Sequence, residues 1–294
     1  MQRATVYSAA VISMFLWSFT FIWYKLVLDD YSPISVALIR LVISSALLSA
    51  VLLILGKFTL IKRKDIRNFI LLSLFQPFGY FLGETFGVKE VSPTIAAVMI
   101  STIPVLTPLA SRMFLKEKLG IVNIIGIIVS FSGILLMVMK SDLSFEASPV
   151  GMLLLMLAVV SAIGYSIVIR RLSSYYKPVM IVTWHNIIGV IMFLPLFFIF
   201  DFNHFISVRP DANLLLNLGY LAVFGSSVAF VLYVYGISHL GPSKANVFTN
   251  TIPIFAAITS YFVLGEEMTT KKVLGIAIVL SGVFLSQLGS RTKR

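Results

Sequence analysis

Residues 84–137, ETFGVKEVSPTIAAVMISTIPVLTPLASRMFLKEKLGIVNIIGIIVSFSGILLM, and residues 233–286, YVYGISHLGPSKANVFTNTIPIFAAITSYFVLGEEMTTKKVLGIAIVLSGVFLS, are two copies of one pattern. A constant shift of 149, with no gap, lays Gly87 on Gly236, Pro93 on Pro242 and Thr102-Ile103-Pro104 on Thr251-Ile252-Pro253. The same shift lays Glu117 on Glu266, Gly126 on Gly275 and Ser132-Gly133 on Ser281-Gly282. Unrelated apolar segments exchange Leu for Ile freely, but they do not align glycines, prolines and a glutamate. A period of this length is too long for a solenoid unit, so each copy belongs to one half of the protein. Upstream, Tyr31 and Pro33 fall on Tyr176 and Pro178 at a shift of 145, which places a four-residue insertion near the third apolar stretch. The expected halves are residues 1–142 and 143–294.

Composition sets the environment. Hydrophobic residues make up 59% of the chain, charged residues 12%, and the mean hydropathy is +0.99. Soluble domains carry about a quarter charged residues, so this is an integral membrane protein. A hydrocarbon core of ~30 Å needs about 20 apolar residues per helix, and ten stretches fit: 6–28, 34–55, 66–87, 94–115, 121–139, 150–169, 179–200, 213–236, 243–264 and 273–288. The first lacks a small-residue cleavage site and reads as a retained helix. With no cysteine, redox logic says nothing about compartment.

Lys and Arg alternate across the connections: 16 lie in one set of loops and ends, six in the other, and Arg40 sits inside a span. The richer side is expected to be cytoplasmic, with both termini there and the protein in the cytoplasmic membrane. The net charge of +11 then sets orientation, and nucleic-acid binding is not expected. Five spans per half is an odd number, so the second half enters the membrane from the side opposite to the first. The expected fold is all-α, ten transmembrane helices in two inverted five-helix repeats, the plan of many secondary transporters that work by alternating access.

Several motifs resemble the EamA-type branch of the drug/metabolite transporter superfamily over nearly the whole chain. They are Trp17 followed by Lys25, Ser32-Pro33 with Arg40 inside the second span, Ile103-Pro104-Val105, Leu115-Lys116-Glu117-Lys118-Leu119, Ile252-Pro253-Ile254, Leu264-Gly265-Glu266 and Ser281-Gly282. Two departures are His185 at the position matching Arg40, and Lys116 where many relatives have Gly before the Glu. The resemblance implies ten helices in inverted repeats, a central cavity, and export or exchange of amino acids, other small metabolites, nucleobases, drugs or organic cations.

Candidate cavity residues follow from polarity inside spans. Arg40 lies about seven residues into its helix, ~10 Å from the end at 1.5 Å per residue, and must face protein or water. It is either an anchor for a substrate carboxylate or a structural Arg satisfied by Glu84, carbonyls or a route outward. Ser73, Gln76, Tyr80 and Glu84 share a helical side, lining a cavity or packing on a polar neighbour. Glu84, the one carboxylate well inside a span, is the acidic candidate for proton coupling, or the partner of Arg40 or Lys25. His185 is a second coupling candidate or a hydrogen-bonded packing residue.

Asn246 and Asn250, one turn apart, are interhelical glue or site residues where Pro253 frees carbonyls; Pro104 is its counterpart. Trp17, Thr20 and Tyr24 share one face and Ser161 and Tyr165 another; Trp17 and Tyr165 suit a cavity, while Tyr24 lies near enough to the interface for a belt residue. Gly126, Gly133, Gly275 and Gly282 permit close helix contact, and Glu117 and Glu266 complement helix dipoles. His185, His204 and His239 lack ligand spacing, so no metal or cofactor is expected. The expected partners are a small-molecule substrate and the bilayer, with the protein a monomer. A passive channel and a membrane-embedded enzyme are the competing classes; the enzyme lacks a second in-span carboxylate or catalytic motif.

Overall fold

The computed structural model describes residues 2–107, 120–139, 147–240 and 245–291, and every regular element among them is a helix. In chain order these are α1 (Gln2–Val27), α2 (Pro33–Ile54), α3 (Ile66–Ser73), α4 (Tyr80–Glu90), α5 (Pro93–Ile100), α6 (Ile121–Val138) and α7 (Pro149–Leu172). There follow α8 (Pro178–Leu196), α9 (Phe202–Ser207), α10 (Ala212–Tyr220), α11 (Ala229–Leu240), α12 (Ile252–Leu264) and α13 (Thr270–Arg291). Among the described residues, six helical runs are long and apolar enough to cross a membrane, and Pro93–Thr107 and Phe248–Leu264 are shorter apolar runs.

Local chemistry starts the helices. Ser32, Ser92 and Ser148 cap α2, α5 and α7, each accepting from a backbone N–H three residues on, and each is followed by a proline in the first turn. Serine satisfies an orphan donor and proline removes one. The outer surface is apolar: Ile54 is 85% exposed, Phe262 78% and Ile121 77%. Ser44, Thr85, Asn186 and Ser226 are buried instead. Such an outside would be costly in water and is ordinary against lipid.

Contacts between the halves come in matched pairs. α4 packs on α7 as α11 packs on α1, and α5 packs on α7 as α12 packs on α1; α2 meets α8, α5 meets α12 and α6 meets α13. The α6–α13 contact is the closest. A Cβ on Gly126 would sit 2.6 Å from the Gly282 carbonyl oxygen and one on Gly282 2.7 Å from that of Gly126, while Gly133 faces the Gly275 carbonyl in the same way at 2.8 Å. Only glycine lets the two backbones approach so nearly.

The helix ends also sort. Lys25 at the end of α1 donates to the Lys89 carbonyl near the end of α4, and Ser148 before α7 donates to Glu90. So α1 finishes at the end of the bundle where α7, the first helix of the second half, begins.

Several spans differ from the sequence expectation. The third is not one helix, since α3 and α4 are joined by a wider-turned segment, Leu74–Gly79, in which Gln76 is extended at φ −150° and ψ 120°. Pro77 is the reason: it withholds an N–H and drives the residue before it out of the helical region. The seventh span runs on past residue 200 through Phe197–Asp201 into α9. The eighth contains a π-helical stretch, Leu221–Val228. Helix α5 ends at Ile100, just before Pro104, and the ninth span enters through a 3-10 turn, Val247–Thr251, just before Pro253. The end of the expected fourth span and Glu117 lie outside the described residues.

Candidate functional site

A cavity opens between the halves, lined by Trp17 and Thr20 on α1, Arg40 on α2, Gln76, Tyr80, Phe81 and Glu84 around the break before α4, and Phe230, Tyr233, Thr249 and Ile252 from the second half. Its free volume is about 30 Å³, room for a water or two. Several lining residues are equivalents under the 149 shift: Phe81 and Phe230, Ile103 and Ile252, Ile100 and Thr249, Glu84 and Tyr233. The cavity therefore lies where the two copies face each other.

Arg40 is 1% and Glu84 4% exposed, and their nearest charged atoms are 3.7 Å apart. Tyr24 bridges them: its hydroxyl donates to Glu84 Oε2 at 2.9 Å and accepts from Arg40 Nη1. Tyr80 donates to Glu84 Oε1 at 2.9 Å, and Arg40 Nε donates to Ser226 Oγ at 2.6 Å. The guanidinium carbon lies 4.1 Å from the centre of the Phe81 ring, a cation–π distance. Two buried charges are tolerable here because each is paired and hydrogen-bonded. Tyr24, expected as a possible interface residue, is instead wholly buried in this cluster.

The wider turn at Leu221–Val228 provides acceptors. Gly225 O takes the Trp17 indole N–H at 3.2 Å, and Ser226 O accepts from Ser44 at 3.1 Å and Asn186 at 3.3 Å. Irregular backbone of this kind is permitted at membrane depth where protein covers it.

Of the residues expected at a site, Trp17, Arg40, Gln76, Tyr80 and Glu84 line the cavity. Tyr165 and His185 lie one layer behind, their rings 6.5 and 5.5 Å from Phe230, with the Tyr165 hydroxyl 3.5 Å from His185 Nδ1. Asn246 accepts from the Tyr233 hydroxyl at 2.6 Å. His185 Nε2, Asn246 Nδ2 and Asn250 Oδ1 are buried without a hydrogen-bond partner among the described residues. Sequence reasoning did not single out Phe81, Phe230, Tyr233 or Ser226. The signal for Phe81 and Phe230 was there, as an identical pair under the shift beside the polar positions 80 and 84.

Two carboxylates join the halves at the end of the bundle near Lys25. Asp201 accepts from Ser32 Oγ, from Ser35 N and from Ser35 Oγ, the last two at 2.9 Å, and so caps α2. Glu266 accepts from Thr94 Oγ1 at 2.9 Å, Ser260 at 2.5 Å and Lys272 at 3.0 Å. Its contact at a helix start is thus with α5 of the other half, not only with the helix that follows it. Burial pushes the Glu266 carboxyl up, but bonds from Ser260, Ser92 and Lys272 outweigh this and hold it below its usual range.

The comparisons with known proteins agree with this architecture. An uncharacterized transporter of Archaeoglobus fulgidus is 28% identical over 93% of this chain and 95% of its own. A WAT1-related chloroplast protein of Arabidopsis thaliana is 27% identical over 95% of this chain and 68% of its own. A crystal structure at 16% identity superposes with a TM-score of 0.71 over 99% of both chains, a likeness of fold. The model of the EamA-like transporter family matches twice, over residues 4–139 and 149–288. The chain belongs to the EamA-like transporter family.

Proposed function

We propose that the protein is a secondary transporter that moves amino acids or similar small metabolites across the cytoplasmic membrane by alternating access, as an exporter or exchanger. The carrying observation is the cavity between the halves, lined by shift-related pairs such as Phe81 with Phe230 and Ile103 with Ile252. A site at the junction of two related halves is exposed to one side or the other when one half rocks against its partner. The reading takes the chain as ten spans in two inverted repeats, residues 1–142 and 143–294, with both termini cytoplasmic and the protein a monomer. The meeting of the α1 end with the α7 start, and the matched contacts of the halves, support the inversion.

In this reading Trp17, Gln76, Tyr80 and Glu84 contact substrate, and Arg40 holds Glu84 in place. Tyr165 and His185 support Phe230 from behind, and Asn246 and Asn250 support the Tyr233 side. Glu84 is the group that would couple transport to protons, because it is the acidic residue of the cavity, with His185 a layer further back. Energy comes from a gradient or from exchange.

The test is counterflow in proteoliposomes of purified protein, preloaded with unlabelled aromatic or small neutral amino acids and given the labelled compound outside at two pH gradients. Saturable counterflow that falls in Tyr80→Ala is the expected result. Absence of counterflow with amino acids, alongside exchange of nucleobases or organic cations, would overturn the substrate assignment.

A further inference from the structure

What a cavity recognises depends on where its hydrogens point, and here most point away. Four hydroxyls line the cavity and each donates within the protein. Thr20 donates to Trp17 O at 2.6 Å, Tyr80 to Glu84 at 2.9 Å, Tyr233 to Asn246 Oδ1 at 2.6 Å and Thr249 to Asn246 O at 2.7 Å. The Trp17 indole N–H is likewise engaged by Gly225 O. A hydroxyl that has donated its proton retains acceptor lone pairs. A carboxylate accepts at about four sites, of which Glu84 uses two, for Tyr80 and Tyr24, with Arg40 Nη1 3.7 Å away. Among the described residues, the donors left to the cavity are the Gln76 amide and three N–H groups of Arg40, one on Nη1 and two on Nη2, since Nε donates to Ser226 and Nη1 once to Tyr24.

The lining is thus rich in acceptors and in aromatic faces, with Trp17 against Phe230 at 5.0 Å and against Tyr233 at 4.9 Å. Rings attract cations through their quadrupole and pack apolar bodies. A carboxylate would find its donors on Gln76 and Arg40 alone, and Arg40 already answers Glu84.

We infer that the cavity, once widened beyond its present volume of about 30 Å³, recognises the primary ammonium end of an amphipathic amine, which donates N–H bonds to Tyr233, Tyr80 and Glu84 while its aromatic or aliphatic body lies against Trp17 and Phe230. This rests on the transport reading above and sharpens it: an amino acid is held by its ammonium group, and its carboxylate contributes little.

Calorimetric binding to purified protein at pH 7 with four compounds of one ring tests this: phenylalanine, 2-phenylethylamine, 3-phenylpropionate and trimethyl(2-phenylethyl)ammonium. The expected order places 2-phenylethylamine at or above phenylalanine, with the other two at least tenfold weaker because one has no ammonium and the other no N–H. Tyr233→Phe and, independently, Tyr80→Phe each weaken 2-phenylethylamine several-fold, with size-exclusion profiles establishing that both variants are folded. Tighter binding of 3-phenylpropionate than of the amine overturns the inference. So does equal binding of the trimethyl compound, or unchanged amine affinity in both variants. If none of the four binds, the inference fails, whereas the transport reading stands or falls by the counterflow experiment.

Discussion

The two halves carry the same frame and different charges. At equivalent places in their second helices stand Arg40 and His185, and each packs on the equivalent phenylalanine, Arg40 on Phe81 and His185 on Phe230. The carboxylate that answers Arg40 is Glu84, and the position equivalent to Glu84 holds Tyr233. One half therefore buries an ion pair where the other buries an imidazole and a phenol. Duplication has preserved the packing and confined the charge to one wall of the cavity.

The largest effect that follows concerns stability. Arg40→Gln leaves Glu84 buried without its cation, which costs about 3–5 kcal/mol. His185→Gln removes a long contact with Tyr165 and the ring packing on Phe230, and costs about 1–2 kcal/mol. Denaturant unfolding of the detergent-solubilised variants measures both, and equal losses would break the contrast between the halves.

Where the halves are alike, variants should behave alike. Gly126→Leu and Gly282→Leu each drive a side chain into the opposing backbone and destabilise by about 1–3 kcal/mol, the range for overpacking. Gly219, with nothing within 4 Å of an added Cβ, accepts alanine without loss. Thermal unfolding of the three variants reads this, and a clear inequality between the first two would show that the α6–α13 contact is not shared evenly.

These two comparisons also show what the sequence could disclose. The glycine seam was legible because a glycine retained at a fixed shift in an apolar helix has few other uses. Arg40, Glu84, Tyr80 and Trp17 were legible because polar or amphipathic side chains inside spans stand out. Phe81, Phe230 and Tyr233 did not, since the chain has 24 Phe and 11 Tyr and only a fold selects the few that face inward. The broken third span was readable in principle from Gln76-Pro77, but a hydrophobic stretch of adequate length masks a kink. Tyr24 was misplaced because depth alone cannot say which way a side chain faces. The bond from Glu266 to α5 joins residues far apart in sequence, and no periodicity announces it.

The smallest effect lies in that joint. The Glu266 side chain is mostly covered, but glutamine keeps an acceptor for Thr94 or Ser260, so Glu266→Gln costs about 1 kcal/mol. Its carboxyl is held below the ordinary range, so its stabilising contribution is present above that range and lost as pH falls through the lowered value. Melting temperatures of wild type and Glu266→Gln should differ at neutral pH and converge in acid. A gap that widens on acidification would contradict the sign.

The central claim is that the cavity between the halves is the transport pathway, open to one side at a time. The chain has no cysteine, so Ala162→Cys places a single thiol on the cavity lining. We would measure its labelling by a membrane-impermeant maleimide applied to either face of sealed vesicles, with and without a saturating exchanged solute. The account predicts labelling from each face and protection from both by the solute. Labelling from one face only, unaffected by the solute, would contradict it.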